Sequence, residues 1–333
     1  MEPKTSFVRR QLPQVLAPFD DRAGLLWRTH NLVRRFDPLL VARWAYAALS
    51  VPEFDRPIFV IGVPRSGTTS VFRWLGSSLA NLGHEGHNIW RLFHHPRRHG
   101  WRSDEVRAEE IVRGERRCVY AYFQARLRAL RFVEKTPCNC FRIDYLLALF
   151  PSARFLIVHR NPQRVLQSLI SGWKDPSGRF RNYYLPVPLS IPDYEHHYRW
   201  CFTLVPGWRD SVHRPIADIA HHQWSEFINV IAKARNEVPE HQWMEIHLED
   251  LMADSGDIAD TVYRFLELNA SQRKRLEMEL IAAKKAPSNA LRSSERVADM
   301  EFADFLPRMA SRARLIEYDL VDGSFQRSHN IQV

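Results

Sequence analysis

Ile58-Phe59-Val60-Ile61 is an unbroken run of large apolar residues, followed at once by Gly62-Val63-Pro64-Arg65-Ser66-Gly67-Thr68-Thr69. Val71, Phe72, Leu75 and Leu79 come next, at helical spacing. A strand without polar alternation is buried on both faces, which happens where helices cover a parallel sheet. A strand that turns through glycine into a helix therefore predicts the opening of a βα unit. Further strands are predicted at Arg131 to Glu134, Arg154 to Val158 and Trp243 to Leu248. Helical patterns run over Arg142 to Phe150, Pro162 to Gly172 and Ile258 to Leu266. Strand and helix alternate, so the expectation is an α/β fold in three layers, with a central, mostly parallel sheet flanked by helices.

No Gly/Ser linker or fixed-period repeat divides the 333 residues, which predicts a single domain over 1–333. Two helical patterns broken at Asp37-Pro38 predict a helical cap within residues 1–50. The stretch from Lys174 to Asp193, rich in proline and tyrosine and without a clear period, reads as a long loop. It opens a substrate-facing loop and helical insertion over 174–235. Four cysteines are too few for a disulfide scaffold, and Cys138-Asn139-Cys140 lacks a second pair at zinc spacing, so a reducing, cytoplasmic setting without a metal is expected. The longest apolar runs are six residues, far short of the roughly 20 that span a bilayer. The formal charge of +9 favours anionic ligands without naming one.

The loop after the first strand sets backbone N–H groups and a helix start where phosphate oxygens are held. A Walker A loop would place Lys at the position of Thr68, and the cation here is Arg65. A shorter phosphate-containing anhydride suits Arg65, the backbone amides and the Thr hydroxyls better than a triphosphate does. A second constellation is Phe155-Leu156-Ile157-Val158-His159-Arg160-Asn161-Pro162, then Ser168. Asn161 is placed to cap the helix and Pro162 to fill its first turn. Ser168 lies about 9 Å of helix rise further on, within one anion's reach of a long Arg side chain. Glu134-Lys135-Thr136-Pro137 puts Lys135 just past a strand end. Arg65, Lys135 and Arg160 thus converge on the carboxyl edge of the sheet, where ligands bind in open α/β folds.

These residues resemble the PAPS-dependent sulfotransferase family. Pro64-Arg65-Ser66-Gly67-Thr68-Thr69 is similar to its 5′-phosphosulfate loop, and Arg160 with Pro162 and Ser168 to its 3′-phosphate motif. Glu134-Lys135-Thr136-Pro137 resembles a segment of the Golgi and bacterial branches, and Arg at the loop's cation position looks more like the tyrosylprotein and carbohydrate-type branches. The resemblance covers residues 57–170 well and 240–268 more weakly. It implies a P-loop-like fold and PAPS as cosubstrate, bound by Arg65, Ser66, Gly67, Thr68, Thr69, Lys135, Arg160 and Ser168. Arg65 and Lys135 are then catalytic, and Glu85, in His84-Glu85-Gly86-His87, matches the position of the tyrosylprotein-type base. His84 and His87 are rival bases. His159, at a buried strand end, is expected to be packed or held by a backbone partner.

Two departures stand out. No C-terminal Arg-Lys-Gly triplet exists, leaving Lys284, Lys285, Arg292 or Arg296 to substitute, and His247-Leu248-Glu249-Asp250 lacks the family's Tyr before Glu-Asp. The expected activity is transfer of the sulfuryl group of PAPS to a hydroxyl of a carbohydrate, lipid, peptide or small natural product. The rival readings are a P-loop kinase, which Thr68 disfavours, and a non-catalytic nucleotide- or RNA-binding module, which lacks the interleaved aromatics of an RNA platform. No nucleic-acid partner is expected, and the sequence does not fix the oligomeric state.

Overall fold

The computed structural model describes residues 45–46, 53–253, 257–285 and 304–328. Four strands form the central sheet: β1 (Ile58–Ile61), β2 (Val133–Glu134), β3 (Arg154–His159) and β6 (Trp243–His247). Their order is β2-β1-β3-β6 and all three pairings are parallel, with Phe59 opposite Glu134 on one side and Phe155 on the other. Every residue of β1 and β3 is buried, as the unbroken apolar runs require.

The two faces carry separate cores because alternate residues point to opposite sides. Phe59, Ile61, Phe155 and Ile157 pack with residues of the helices Glu115–Leu127, Ile143–Leu149, Pro162–Trp173 and Ile216–Arg235. Ile58, Val60, Leu156 and Val158 pack on Val71, Trp74 and Leu75 of the helix Thr68–Gly76 and on Val262 and Tyr263 of the helix Asp257–Phe265. These are the three layers expected. The chain leaves β1 for β2 on one side and then crosses to β3 on the other, so the β1/β3 boundary is the point where strand order reverses. The glycine loop and Arg160 both emerge there.

The segment expected to be a long loop is partly a two-stranded antiparallel ribbon, β4 (Arg181–Tyr184) with β5 (Arg199–Cys201). Strands this short, with a register shift between Arg181 and Tyr183, leave no alternation for a sequence pattern to register. A second ribbon, β7 (Tyr318–Val321) with β8 (Ser324–Arg327), closes the described chain. The expected N-terminal cap lies outside the described residues except at 45 and 46, as do Arg292 and Arg296. Among the described residues no helix is long and apolar enough to cross a membrane.

Asp104 ties the first ribbon to the core. Its fully buried carboxylate accepts from the Tyr183 hydroxyl and, at 2.8 Å, from the Leu204 N–H, while Arg142 lies 3.5 Å away. Removing one member of a buried ion pair leaves the other charged and unpaired, at a cost of about 3–5 kcal/mol. Asp104→Ala should therefore lower the urea midpoint by that equivalent at unchanged m-value. A loss below about 1 kcal/mol would show that the ribbon is not held through Asp104.

Candidate active site

The loop after β1 needs its glycines. Gly67 precedes the helix Thr68–Gly76 at φ +99°, a left-handed conformation that side-chain-bearing residues rarely adopt. A Cβ there would also lie 2.6 Å from Leu248. Arg65 holds φ +78°, an uncommon value for a residue with a side chain and one that concentrates at functional sites. The N–H groups of the first helical turn have no intrahelical acceptors. The Ser66 hydroxyl is buried with no hydrogen-bond partner among the described residues. An orphan hydroxyl, first-turn amides and a guanidinium around one tight turn fit the oxygen-rich, doubly anionic phosphosulfate end of PAPS.

The 5′ and 3′ motifs meet. Arg65 Nε donates to Ser168 Oγ at 2.8 Å, and Arg160 donates to the Arg65 carbonyl at 3.3 Å. The Arg65 guanidinium also lies over the Phe180 ring, 4.8 Å from its centroid. Burial and the nearby charges of Arg179 and Arg160 lower the pKa of Arg65, and burial lowers that of Arg160. Two half-buried cations, neither in an ion pair among the described residues, suit a polyanion. The cap at Asn161 forms as expected, its side chain accepting from Arg164 N at 3.2 Å with Pro162 in the first turn. Thr68 is buried and Thr69 exposed, so the two hydroxyls differ in setting.

Lys135 forms an ion pair with Glu85, whose other carboxylate oxygen faces His87 Nε2 at 2.8 Å. Burial pushes the Glu85 carboxyl up. The His87 hydrogen bond and the Lys135 charge outweigh it and hold the group at about 2. His84, by contrast, is exposed and turns Nδ1 toward the Glu85 carbonyl. Sequence reasoning missed what sets this pair. The fully buried Glu134 carboxylate accepts from Thr136, from Asn139 Nδ2 at 2.7 Å, from Gly86 N at 3.2 Å and from Trp90 Nε1 at 3.3 Å. A Cβ on Gly86 would sit 2.9 Å from both Glu134 Oε1 and Trp90 Nε1, so only glycine allows the approach. Glu134 thereby fixes the turn carrying Glu85 against the strand end carrying Lys135.

At the far side of the edge, His159 Nε2 meets the Glu245 carboxylate at 2.6 Å, a side-chain partner rather than the backbone one expected. His247, opposite His159 in the sheet, has its pKa pushed down to about 2 by burial and by the charges of His159 and Arg327. Glu249 accepts from Asn161 N at 2.9 Å and from the Tyr318 hydroxyl at 2.9 Å. Tyr318, from the C-terminal ribbon, thus brings an aromatic hydroxyl to a segment that lacks one in sequence. Lys284 donates to the Ala253 carbonyl and shows no contact with the 3′ motif.

Residues 57–272 match the Sulfotransferase family, well over half of the chain, and the chain belongs to that family. It is a PAPS-dependent sulfotransferase. Comparison with curated protein sequences finds no match. Among solved structures, sulfotransferase STF9 from Mycobacterium avium is 15% identical, with 80% of this chain and 78% of that one covered at a TM-score of 0.47. Sulfotransferase STF1 from Mycobacterium tuberculosis H37Rv is 17% identical, with 78% and 81% covered at a TM-score of 0.44. A sulfotransferase from Alicyclobacillus acidocaldarius is 14% identical, with 78% and 95% covered at 0.43.

Arg160→Ala should weaken PAP binding about 10- to 150-fold, the worth of a charge-assisted hydrogen bond of about 1.5–3 kcal/mol. Affinity for adenosine 5′-phosphosulfate, which has no 3′-phosphate, should stay within about twofold by the same reasoning. Equal losses for the two ligands in calorimetric titration would remove Arg160 from the 3′ site.

Proposed function

We propose that the chain transfers the sulfuryl group of PAPS to an acceptor hydroxyl, with Glu85 receiving the acceptor's proton. The supporting observation is the placement of the Glu85 carboxylate between Lys135 and His87 at the end of β2, beside the strand that carries the phosphate loop. PAPS, when bound, supplies the sulfuryl group as a phosphosulfate anhydride. Ser66, Gly67, Thr68 and Thr69 hold its 5′ end through backbone and hydroxyl donors, and Arg160 with Ser168 holds the 3′-phosphate. Arg65 and Lys135 offset the negative charge that gathers on the bridging oxygen as its bond to sulfur breaks and it leaves with PAP. Glu85 takes the hydroxyl proton as the acceptor oxygen bonds to sulfur.

The insertion over 174–235 faces the acceptor in this reading, supported by Phe180 beneath Arg65 and by Tyr183 beneath Arg91. A specific observation favours a second route for the proton. With Nε2 facing Glu85, the Nδ1 of His87 is buried without a partner among the described residues, so His87 is positioned as base and Glu85 as its orienting carboxylate. The kinase and RNA-module readings have no support from family or fold.

Glu85→Gln should lower turnover about 10²- to 10⁴-fold while PAP affinity is kept, because the amide retains size but cannot take a proton. Turnover within a few-fold of wild type would remove the role from Glu85. The pH profile separates the two routes. A carboxylate at about 2 is already ionised across the neutral range. If it takes the proton, kcat/KM should be flat as pH falls from about 8 to about 4, since no catalytic group gains a proton there. An acid limb within that range that disappears in His87→Ala would assign the step to His87.

A further inference from the structure

Arg91 is a half-buried cation that the chemistry above does not use. It lies on the helix His87–His94, one turn beyond His87 and on the same side. Its guanidinium is stacked over the Tyr183 ring of β4, 4.5 Å from the centroid. Its Nε and Nη2 are both buried, and neither has a hydrogen-bond partner among the described residues. The nearby carboxylate is Asp104, but that group is already engaged by Tyr183, by Leu204 N and by Arg142. No carboxylate among the described residues forms an ion pair with Arg91.

The two nitrogens are informative as a pair. Nε and Nη2 form one edge of the guanidinium plane, with parallel N–H bonds whose spacing matches the two oxygens of a carboxylate. An unsatisfied buried donor costs about 1–3 kcal/mol, so a site that keeps a whole edge unpaired is built for an acceptor that arrives with a ligand. The helix sets the distance. Residues four apart have Cβ atoms about 5–6 Å apart, so the edge lies roughly one helical turn from the Glu85–His87 pair.

We propose that Arg91 binds a carboxylate on the acceptor itself, so that the preferred substrate is a hydroxy acid, with its hydroxyl at the Glu85–His87 pair and its carboxylate about one helical turn away. Tyr183 supplies the floor on which the planar guanidinium stacks, fixing the direction of its free edge. The carboxylate takes no part in bond making. It fixes the acceptor's orientation, and a buried two-point contact of this kind discriminates strongly against the neutral analogue. This inference rests on the proposed acceptor role of Glu85 and His87, so its test reads binding and not turnover.

Calorimetric titrations of the protein–PAP complex with three matched pairs test it: 4-hydroxybenzoate, 4-hydroxyphenylacetate and 3-(4-hydroxyphenyl)propionate, each against its amide. At least one acid should bind about tenfold or more tightly than its amide, as a charge-assisted pair requires. Arg91→Gln should abolish that preference with PAP affinity unchanged. Arg91→Lys should restore only part of it, because an ammonium keeps the charge but not the paired edge. C-terminally amidated Tyr-Asp against Tyr-Asn then tells whether the carboxylate comes from a free acid or an acidic peptide. Equal binding of every acid and its amide, or a preference that survives Arg91→Gln in the folded variant, would overturn the proposal. Failure of PAP itself to bind would instead strike the cosubstrate site.

Discussion

The contact between Lys135 and Glu85 depends on one buried carboxylate, that of Glu134. Glu134 ends β2 and accepts from four donors drawn from the segment after that strand and from the turn and helix around Gly86 and Trp90. Burial alone raises its pKa, and the hydrogen bonds from Thr136, Trp90 and Gly86 oppose that rise. A carboxylate so placed is held rigidly, since losing any donor leaves buried charge less satisfied. The consequence lies one residue away on each segment, where Lys135 and Glu85 are brought into contact. Positioning of this kind, from a supporting layer behind Lys135 and Glu85, is what the transfer proposed for them requires.

A second constraint links the loop after β1 to the segment after β3. Arg65 belongs by sequence to the 5′ loop, yet its guanidinium donates to Ser168 of the 3′ motif, and Arg160 reaches back to the Arg65 carbonyl. The strand-order reversal between β1 and β3 makes this possible by placing both loops at one boundary. The C-terminal ribbon extends the arrangement: Asn161 donates to the Phe325 carbonyl at 2.8 Å, and Tyr318 and Arg327 hold Glu249 and Asp250. The loop bearing Arg160 is therefore braced by residues more than 150 positions away in the chain.

Sequence made legible whatever chemistry sits on contiguous residues. The phosphate loop, the Arg160–Ser168 pair and Lys135 each follow a recognisable strand, and the unbroken apolar runs of β1 and β3 give the parallel sheet directly. What was not legible depends on long-range contacts. Glu134 looked like part of a motif, and only the fold shows it receiving Gly86 N from 48 positions away. Glu245 offered a weak signal: Glu245 and His247 share one face of a strand whose neighbours are covered, and polar residues there imply partners. Tyr318 and Arg91 offered none, because an aromatic in a short terminal ribbon and an arginine on an eight-residue helix are ordinary in sequence. The β4–β5 ribbon escaped because its strands are four and three residues long.

The most direct test of the account is calorimetric titration of the full chain in the presence of EDTA with PAP, and separately of the chain with magnesium and ATP. A site with distinct 5′ and 3′ contacts should bind PAP at one molecule per chain without added metal, and should bind Mg·ATP at least about a hundredfold more weakly, the worth of the charged 3′ contacts. Equal affinity for the two, or dependence of PAP binding on magnesium, would contradict the cosubstrate site described here and the transfer chemistry built on it.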